Sequence, residues 1–299
     1  MEDLNPAPFV QRLGFDERAR LRFGSTRGGV LSWNTHASCG RLAFRLLRAG
    51  VPDGDWLDHS EWHGGGATSL SPTHEGTSVE IDVIAARTPF DGLEVRAAGV
   101  HFELLAFSAP LYRKSASPAS GSALILDVPR RSQYAPDRDD RGWCSPTSLT
   151  MIHAFHGIDL PIENTAREVF DRAYNGTGNW SFNVAYSGRL GFRAAIAHLA
   201  DFAHARRLIE RNLPIAISYS WSDGELSGAP LPRSAGHIAV LCGFTANGDC
   251  AVNDPAHSNV AAVYARSELE PLWQRNGGVA YVIAPIGIEY ADVLENTNA

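Results

Sequence analysis

The chain has 299 residues, 44% of them hydrophobic, and a formal charge of −7 from 26 basic and 33 acidic side chains. Length and apolar content suffice for two ordinary domains with cores of their own. The acidic groups are spread without a long run of one sign, which argues against a nucleic-acid or anionic-membrane partner.

The opening stretch, MEDLNPAPFVQRLGF, carries acid where a secretory signal would carry base, and no apolar run follows. No segment approaches the ~20 apolar residues of a membrane span, so a cytoplasmic protein is the expectation. Residues 1 to about 115 then contain runs that alternate apolar and polar side chains: SVEIDVIAA at 78–86, GLEVRAA at 92–98 and HFELLAF at 101–107. Half-buried strands read this way. Residues 31–50 supply two more, and Gly- and Pro-containing turns separate them, which predicts an antiparallel β-sandwich over 1–115. The small polar run around 116–123 is expected to be a linker.

From residue 124 to 299 helical and strand patterns mix, so the chain as a whole is α+β. A helix is expected from about Ser145, with Pro146 in its first turn, where a missing N–H costs nothing, and Gly157 at its end. Further helices are expected at 162–173, 201–211 and 267–276. Strands are expected at 215–221, 237–245, 249–254 and 279–284.

Four cysteines are present: Cys39, Cys144, Cys242 and Cys250. Their spacing is not that of a disulfide framework. The turn AlaAsnGlyAsp at 246–249 is an Asn-Gly hairpin signal, and a two-residue loop would pair Ala246 with Asp249, Thr245 with Cys250 and Cys242 with Asn253. Cys242 and Cys250 then miss each other, and all four read as thiols.

Cys144 stands at the start of a predicted helix in RGWCSPTSLTMIHAFHG. A thiolate attacks carbonyl carbon, and a helix start plus a nearby imidazolium would favour that form. An isolated cysteine there is more often packing than nucleophile, so the rest of the chain decides. His237, in SAGHIAVLCGF, begins an apolar strand at a sheet rim, where a side chain can project into a cleft. Its imidazole requires an acceptor to fix the tautomer, and Asp254 in VNDPAH lies toward the open end of the same hairpin. The two-residue turn sets Asp254 opposite Leu241, roughly 13 Å along the strand from His237, so contact requires the chain to bend or the turn to shift. Gln133, in DVPRRSQYAPD, precedes the cysteine and could aim its amide at a developing oxyanion.

DVPRRSQY, GWCSPTSLTMIHAFHGI, GHIAVLCGF and NDPA, in that order, resemble the motifs of the papain-fold cysteine peptidases similar to the double-glycine leader peptidases, family thirty-nine of the cysteine peptidases. The likeness spans residues 124–285. It implies that Cys144 is the nucleophile, His237 the general base and acid, Asp254 the orienting acceptor and Gln133 the oxyanion donor, with a peptide or protein as substrate and no cofactor. Ser145 stands where that family often has glycine, and DRDDR at 137–141 lengthens the path from Gln133 to Cys144. The amino-terminal region, through LSWN at 31–34, resembles the sandwich that precedes such domains in some bacterial proteins.

Two other functions use the same residues or none of them: an acyl or amide transferase similar to transglutaminases, and an inert binding protein. His59, Glu61 and His63 share one face if residues 58–63 form a regular strand, a metal-like spacing that on a sandwich is usually a solvated face. His153 and His156 read as surface or packing residues, and Trp143 and Trp180 as cleft or core aromatics.

Overall fold

The computed structural model describes residues 9–12, 14–110, 122–134 and 142–288. All but two residues of the expected linker, and the whole 137–141 run, lie outside them. The amino-terminal half contains β1 (Phe9–Arg12), β2 (Phe15–Asn34), β3 (Gly40–Arg48), β4 (Val51–His63), β5 (Gly66–Ser69), β6 (Thr73–His74), β7 (Thr77–Glu80), β8 (Val83–Phe102) and β9 (Leu104–Ser108). These nine strands form one antiparallel sheet along the order β1-β9-β2-β8-β3-β4-β5, with β6 and β7 attached to β8.

The stretch 78–86, read as one strand, is two strands turning at Ile81 and Asp82, while β8 runs on unbroken through 92–98. Register shifts between β2 and β8 mark bulges that bend the long strands. Trp33 on β2 and Trp62 on β4 bring their ring centroids to 5.7 Å. The two rings belong to one apolar cluster with Phe44, Phe90, Leu93 and Phe102. The strands expected to form the two layers of a sandwich are joined in one hydrogen-bonded sheet.

The carboxyl-terminal half runs β10 (Leu124–Ile125), α1 (Cys144–Phe155), α2 (Ile162–Glu168), α3 (Trp180–Arg189), β11 (Arg193–His198), α4 (Phe202–Glu210), β12 (Ile215–Trp221), β13 (Ser234–Phe244), β14 (Cys250–Asn253), β15 (Ala261–Tyr264), α5 (Arg266–Arg275) and β16 (Val279–Ala284). The second antiparallel sheet has the order β11-β16-β12-β13-β14-β15, with β10 paired to β13. Along β13 the side chains alternate: Ala239 and Leu241 face the core under α4 and α5, whereas Ile238, Val240 and Cys242 face the core under α1 and α3. On α1, Leu149, Met151 and Ile152 are fully buried, each contributing about 1.5–3 kcal/mol of burial. The chain is α+β, with two antiparallel sheets and five helices among the described residues.

Polar contacts lock the two sheets together. Asn34 brackets the backbone of Ala194, accepting from its N–H at 2.9 Å and donating to its carbonyl at 2.8 Å. Ser108 Oγ accepts from the His198 N–H at 2.7 Å. Helix α3 crosses β2 at Gly188, where an added Cβ would come within 2.5 Å of Asn34 Cβ. Among the described residues no helix is long and apolar enough to cross a membrane.

Candidate active site

Helix α1 begins at Cys144, one residue before the expected start. Gly142, at φ 80°, turns the chain into it, and Trp143 makes no side-chain cap to its first N–H groups. Those groups and the aligned peptide dipoles leave the positive end of α1 at the cysteine. At the other end Gly157, at φ 92°, closes a Schellman motif: its N–H donates to Ala154 O, and Ile158 N–H donates to His153 O. Ser148 Oγ donates to Ile238 O at 3.2 Å, fixing α1 over the strand that carries His237.

His237 is the fourth residue of β13 and is almost fully buried. Its Nε2 meets Asp254 Oδ1 at 2.8 Å, and its side chain also hydrogen-bonds Cys144. With Nε2 taken by the carboxylate, Nδ1 is the nitrogen left for the thiol. Tyr219 and Trp221, on β12, present to the imidazole at 5.4 and 5.6 Å, nearly perpendicular to it. Burial opposes the imidazolium, but the hydrogen bonds and charges of Asp254 and Cys144 outweigh it and raise the His237 pKa to about 10.

Asp254 lies at the end of β14, fully buried, with four donors on its two oxygens. Oδ1 accepts from His237 Nε2 and from the Ala256 N–H at 2.9 Å. Oδ2 accepts from Tyr219 OH at 3.1 Å and Tyr264 OH at 2.8 Å. Burial works to raise its pKa, yet His237, Tyr264 and the Ala256 N–H hold it below the ordinary value. In return, burial and the adjacent carboxylate push both tyrosine hydroxyls upward, so they stay neutral donors.

The hairpin solves the distance that a two-residue turn would have left. Phe244 pairs with Cys250 and Val240 with Asn253, so the turn is one residue off the expected register. A bulge between Leu241 and Gly243 adds a second shift in the same direction. Asp254 thus continues opposite Ala239 instead of Leu241, and the chain then bends as the Asp254 N–H donates to Val260 O at 2.8 Å. The bulged residue is Cys242, whose carbonyl accepts from Leu126 N at 2.9 Å.

That bond belongs to a segment leading from β10 to Gln133. Val128 O accepts from Asn253 Nδ2 at 2.9 Å, and Gln133 N–H donates to Pro255 O at 2.9 Å. Gln133 is thereby buried next to the Asp254 turn. Of the four residues singled out by sequence, three form a hydrogen-bonded chain and the fourth is tethered beside it. Tyr219, Tyr264 and Trp221 escaped notice, although polar-tipped aromatics in otherwise apolar strands are a usable signal.

The remaining candidates take other roles. His59 is buried against Trp33 and Phe44, Glu61 sits 4.0 Å from Arg41, and His63 contacts Arg172. The bulge between Leu42 and Ala43 on the facing strand falls at His59 and breaks the alternation the metal spacing assumed. His153 is a packing residue, stacked on Phe192 at 5.1 Å, while His156 is half-buried beside it. Trp143 and Trp180 are half-buried. All four cysteines are free.

No curated protein matches the chain. Among solved structures it is similar to a putative C39-like peptidase from Bacillus anthracis, at 17% identity and a TM-score of 0.43, over 55% of this chain and 98% of that one. The peptidase domain of Streptococcus ComA, a bi-functional ABC transporter involved in a quorum sensing pathway, matches at 17% identity and 0.36, over 55% and 99%. A double glycine motif protease from an AMS/PCAT transporter, solved in complex with the leader peptide, matches at 15% and 0.37, over 55% and 99%. Residues 125–281, just over half the chain, match the Peptidase_C39 like family, and the chain belongs to that family.

Proposed function

We propose that the protein is a cysteine peptidase that cleaves peptide bonds through a thioester acyl-enzyme. The observation that carries this reading is the continuous hydrogen-bonded chain from Cys144 through His237 to a fully buried Asp254. In the proposed cycle the proton of Cys144 Sγ already rests on the His237 imidazolium, and the thiolate adds to the scissile carbonyl carbon. The oxyanion accepts from the first N–H groups of α1 and from the Gln133 amide. When the C–N bond breaks, the imidazolium returns its proton to the leaving amine. Water, deprotonated by the same nitrogen, then attacks the thioester, and the acid product leaves, losing its proton to solvent, as the Cys144 thiolate and His237 imidazolium re-form. Asp254 stays ionised throughout, holding the ring through Nε2.

The test is hydrolysis of a mixed peptide library read by mass spectrometry, with wild type and Cys144→Ala compared and with a primary amine added in a second arm. New carboxyl termini in wild type alone support the peptidase. Amide products that replace carboxylates when amine is present would make the protein an acyl transferase instead. Equal product from wild type and Cys144→Ala would remove the thiol from the chemistry.

A further inference from the structure

The nucleophile's helix is held from outside the peptidase-like sheet. Helix α3 lies beside α1 and grips the chain on both sides of Cys144. Thr177 Oγ1, just before α3, donates to Gly142 O at 2.8 Å. Asn183, in its first turn, accepts from Ser145 Oγ at 2.9 Å and donates to Thr177 O at 2.8 Å and Asn179 O at 2.6 Å. The hydroxyl of Tyr281 meets Ser145 Oγ from the other side at 3.0 Å.

The sequence of α3, WSFNVAYSGR, is a poor helix former, rich in Ser, Asn, aromatic and Gly residues. Its start is capped from two places. Asn179 Oδ1 accepts from Phe182 N at 3.1 Å. The N–H groups of Trp180 and Ser181, at 2.5 and 3.3 Å, both donate to one oxygen of Asp82. Asp82 belongs to the amino-terminal sheet, about a hundred residues earlier in the chain, and is buried. It stands in the two-residue turn between β7 and β8, next to Ile81, whose φ is 62°. A β-branched residue rarely adopts that conformation, and where one does the surroundings impose it. Here the imposed turn delivers the carboxylate to the helix.

We propose that Asp82 of the amino-terminal sheet is a positioning residue for Cys144, acting through the start of α3 and its bonds to Gly142 and Ser145. The sheet is then part of the catalytic unit and not a detachable accessory. This inference rests on Cys144 being the nucleophile, and its test separates the two ideas.

The experiment measures the second-order rate of Cys144 alkylation by iodoacetamide at pH 7, located by peptide mapping, in full-length protein whose folding is checked by thermal melting. Asp82→Ala removes the cap and is expected to slow alkylation about tenfold in molecules that remain folded. Asp82→Asn keeps an acceptor for both N–H groups and is expected to restore the rate to within about twofold of wild type. Thr177→Val, which cuts only the bond to Gly142, should slow alkylation as well and act non-additively with Asp82→Ala. If Asp82→Ala does not fold, Thr177→Val and Asp82→Asn carry the test. A lowered melting temperature with an unchanged alkylation rate in Asp82→Ala, or in Thr177→Val, would make Asp82 purely structural and overturn the proposal. If wild-type Cys144 itself reacts as slowly as a free thiol, the peptidase reading has failed, not the coupling alone.

Discussion

Gly243 is the residue on which the site's geometry can be tested by a single methyl group. A Cβ placed there would lie 1.9 Å from Leu124 O and 2.7 Å from Ile125 Cα, where 3.4 Å begins ordinary contact. Both obstacles are backbone, so no side chain can turn away, and β10 must retreat by about 1.5 Å. Retreat costs the pairing of Leu124 with Phe244 and Ile125 with Gly243, and strains the bond from Leu126 N to Cys242 O. At about 1 kcal/mol for each backbone hydrogen bond, Gly243→Ala is expected to lose about 2–3 kcal/mol. That is roughly 5–10 °C in melting temperature by circular dichroism. The same retreat pulls on the segment that carries Gln133, so library hydrolysis is expected to fall by about a factor of ten or more, as when an oxyanion donor is misplaced. Gly64→Ala is the control, since a Cβ there meets nothing within 4 Å. Wild-type stability and activity in Gly243→Ala would refute the account of how β10 positions Gln133.

Three further outcomes are expected. Tyr264→Phe removes one of the two hydroxyls on Asp254 Oδ2 and should destabilise the protein by about 1–2 kcal/mol in urea unfolding. Pairing it with Tyr219→Phe, which empties that buried oxygen of both hydroxyl donors, should cost more than the sum of the single changes; strict additivity would count against a shared role. Burial holds His59, His153 and His198 neutral, with pKa values lowered to about 4, 3 and 3. The stability they contribute is present above pH 6.5 and lost as pH falls toward those values, at about 1.4 kcal/mol per unit and group. Asp82, raised to about 7 by burial, opposes them, because its contribution is fully present below about pH 4 and is lost as pH rises through 7. Three histidines outweigh one aspartate, so urea unfolding at pH 7, 5 and 4 should show falling stability; a flat profile would contradict the buried, neutral imidazoles. Finally, Asp254→Ala leaves His237 buried without its acceptor and should lower library hydrolysis by about a hundredfold or more, while an unchanged rate would exclude the orienting role.

The residues that carry the site were readable because each combines a chemical type with a local signal. Cys144 precedes a first-turn proline, His237 opens the buried, apolar part of β13 after a glycine, and Asp254 follows the next strand of the same hairpin. Family motifs tied them together. What could not be read was the register joining His237 to Asp254. An Asn-Gly pair specifies a tight turn, but the loop that forms closes with Thr245 N–H on Asp249 O, and the bulge at Cys242 gives its carbonyl to Leu126 N–H, from a segment more than a hundred residues earlier. Helix α3 was invisible for a related reason: its propensity is weak, and its caps come from Asn179 and from Asp82 in a distant turn. Strand β11, RAAIAH, is rich in alanine, which favours helix, and pairing with β16 overrides that preference. Locally encoded features were legible, and features paid by distant partners were not.

The most direct test of the central claim is the pH dependence of Cys144 alkylation by iodoacetamide in wild type and His237→Ala. Because the start of α1 and the His237–Asp254 pair converge on Cys144, the account predicts rapid modification of Cys144 at pH 6, with that reactivity lost in His237→Ala. Modification of wild type that rises only as pH approaches the ordinary free-thiol value of about 8.5, and is unaltered by His237→Ala, would contradict the account.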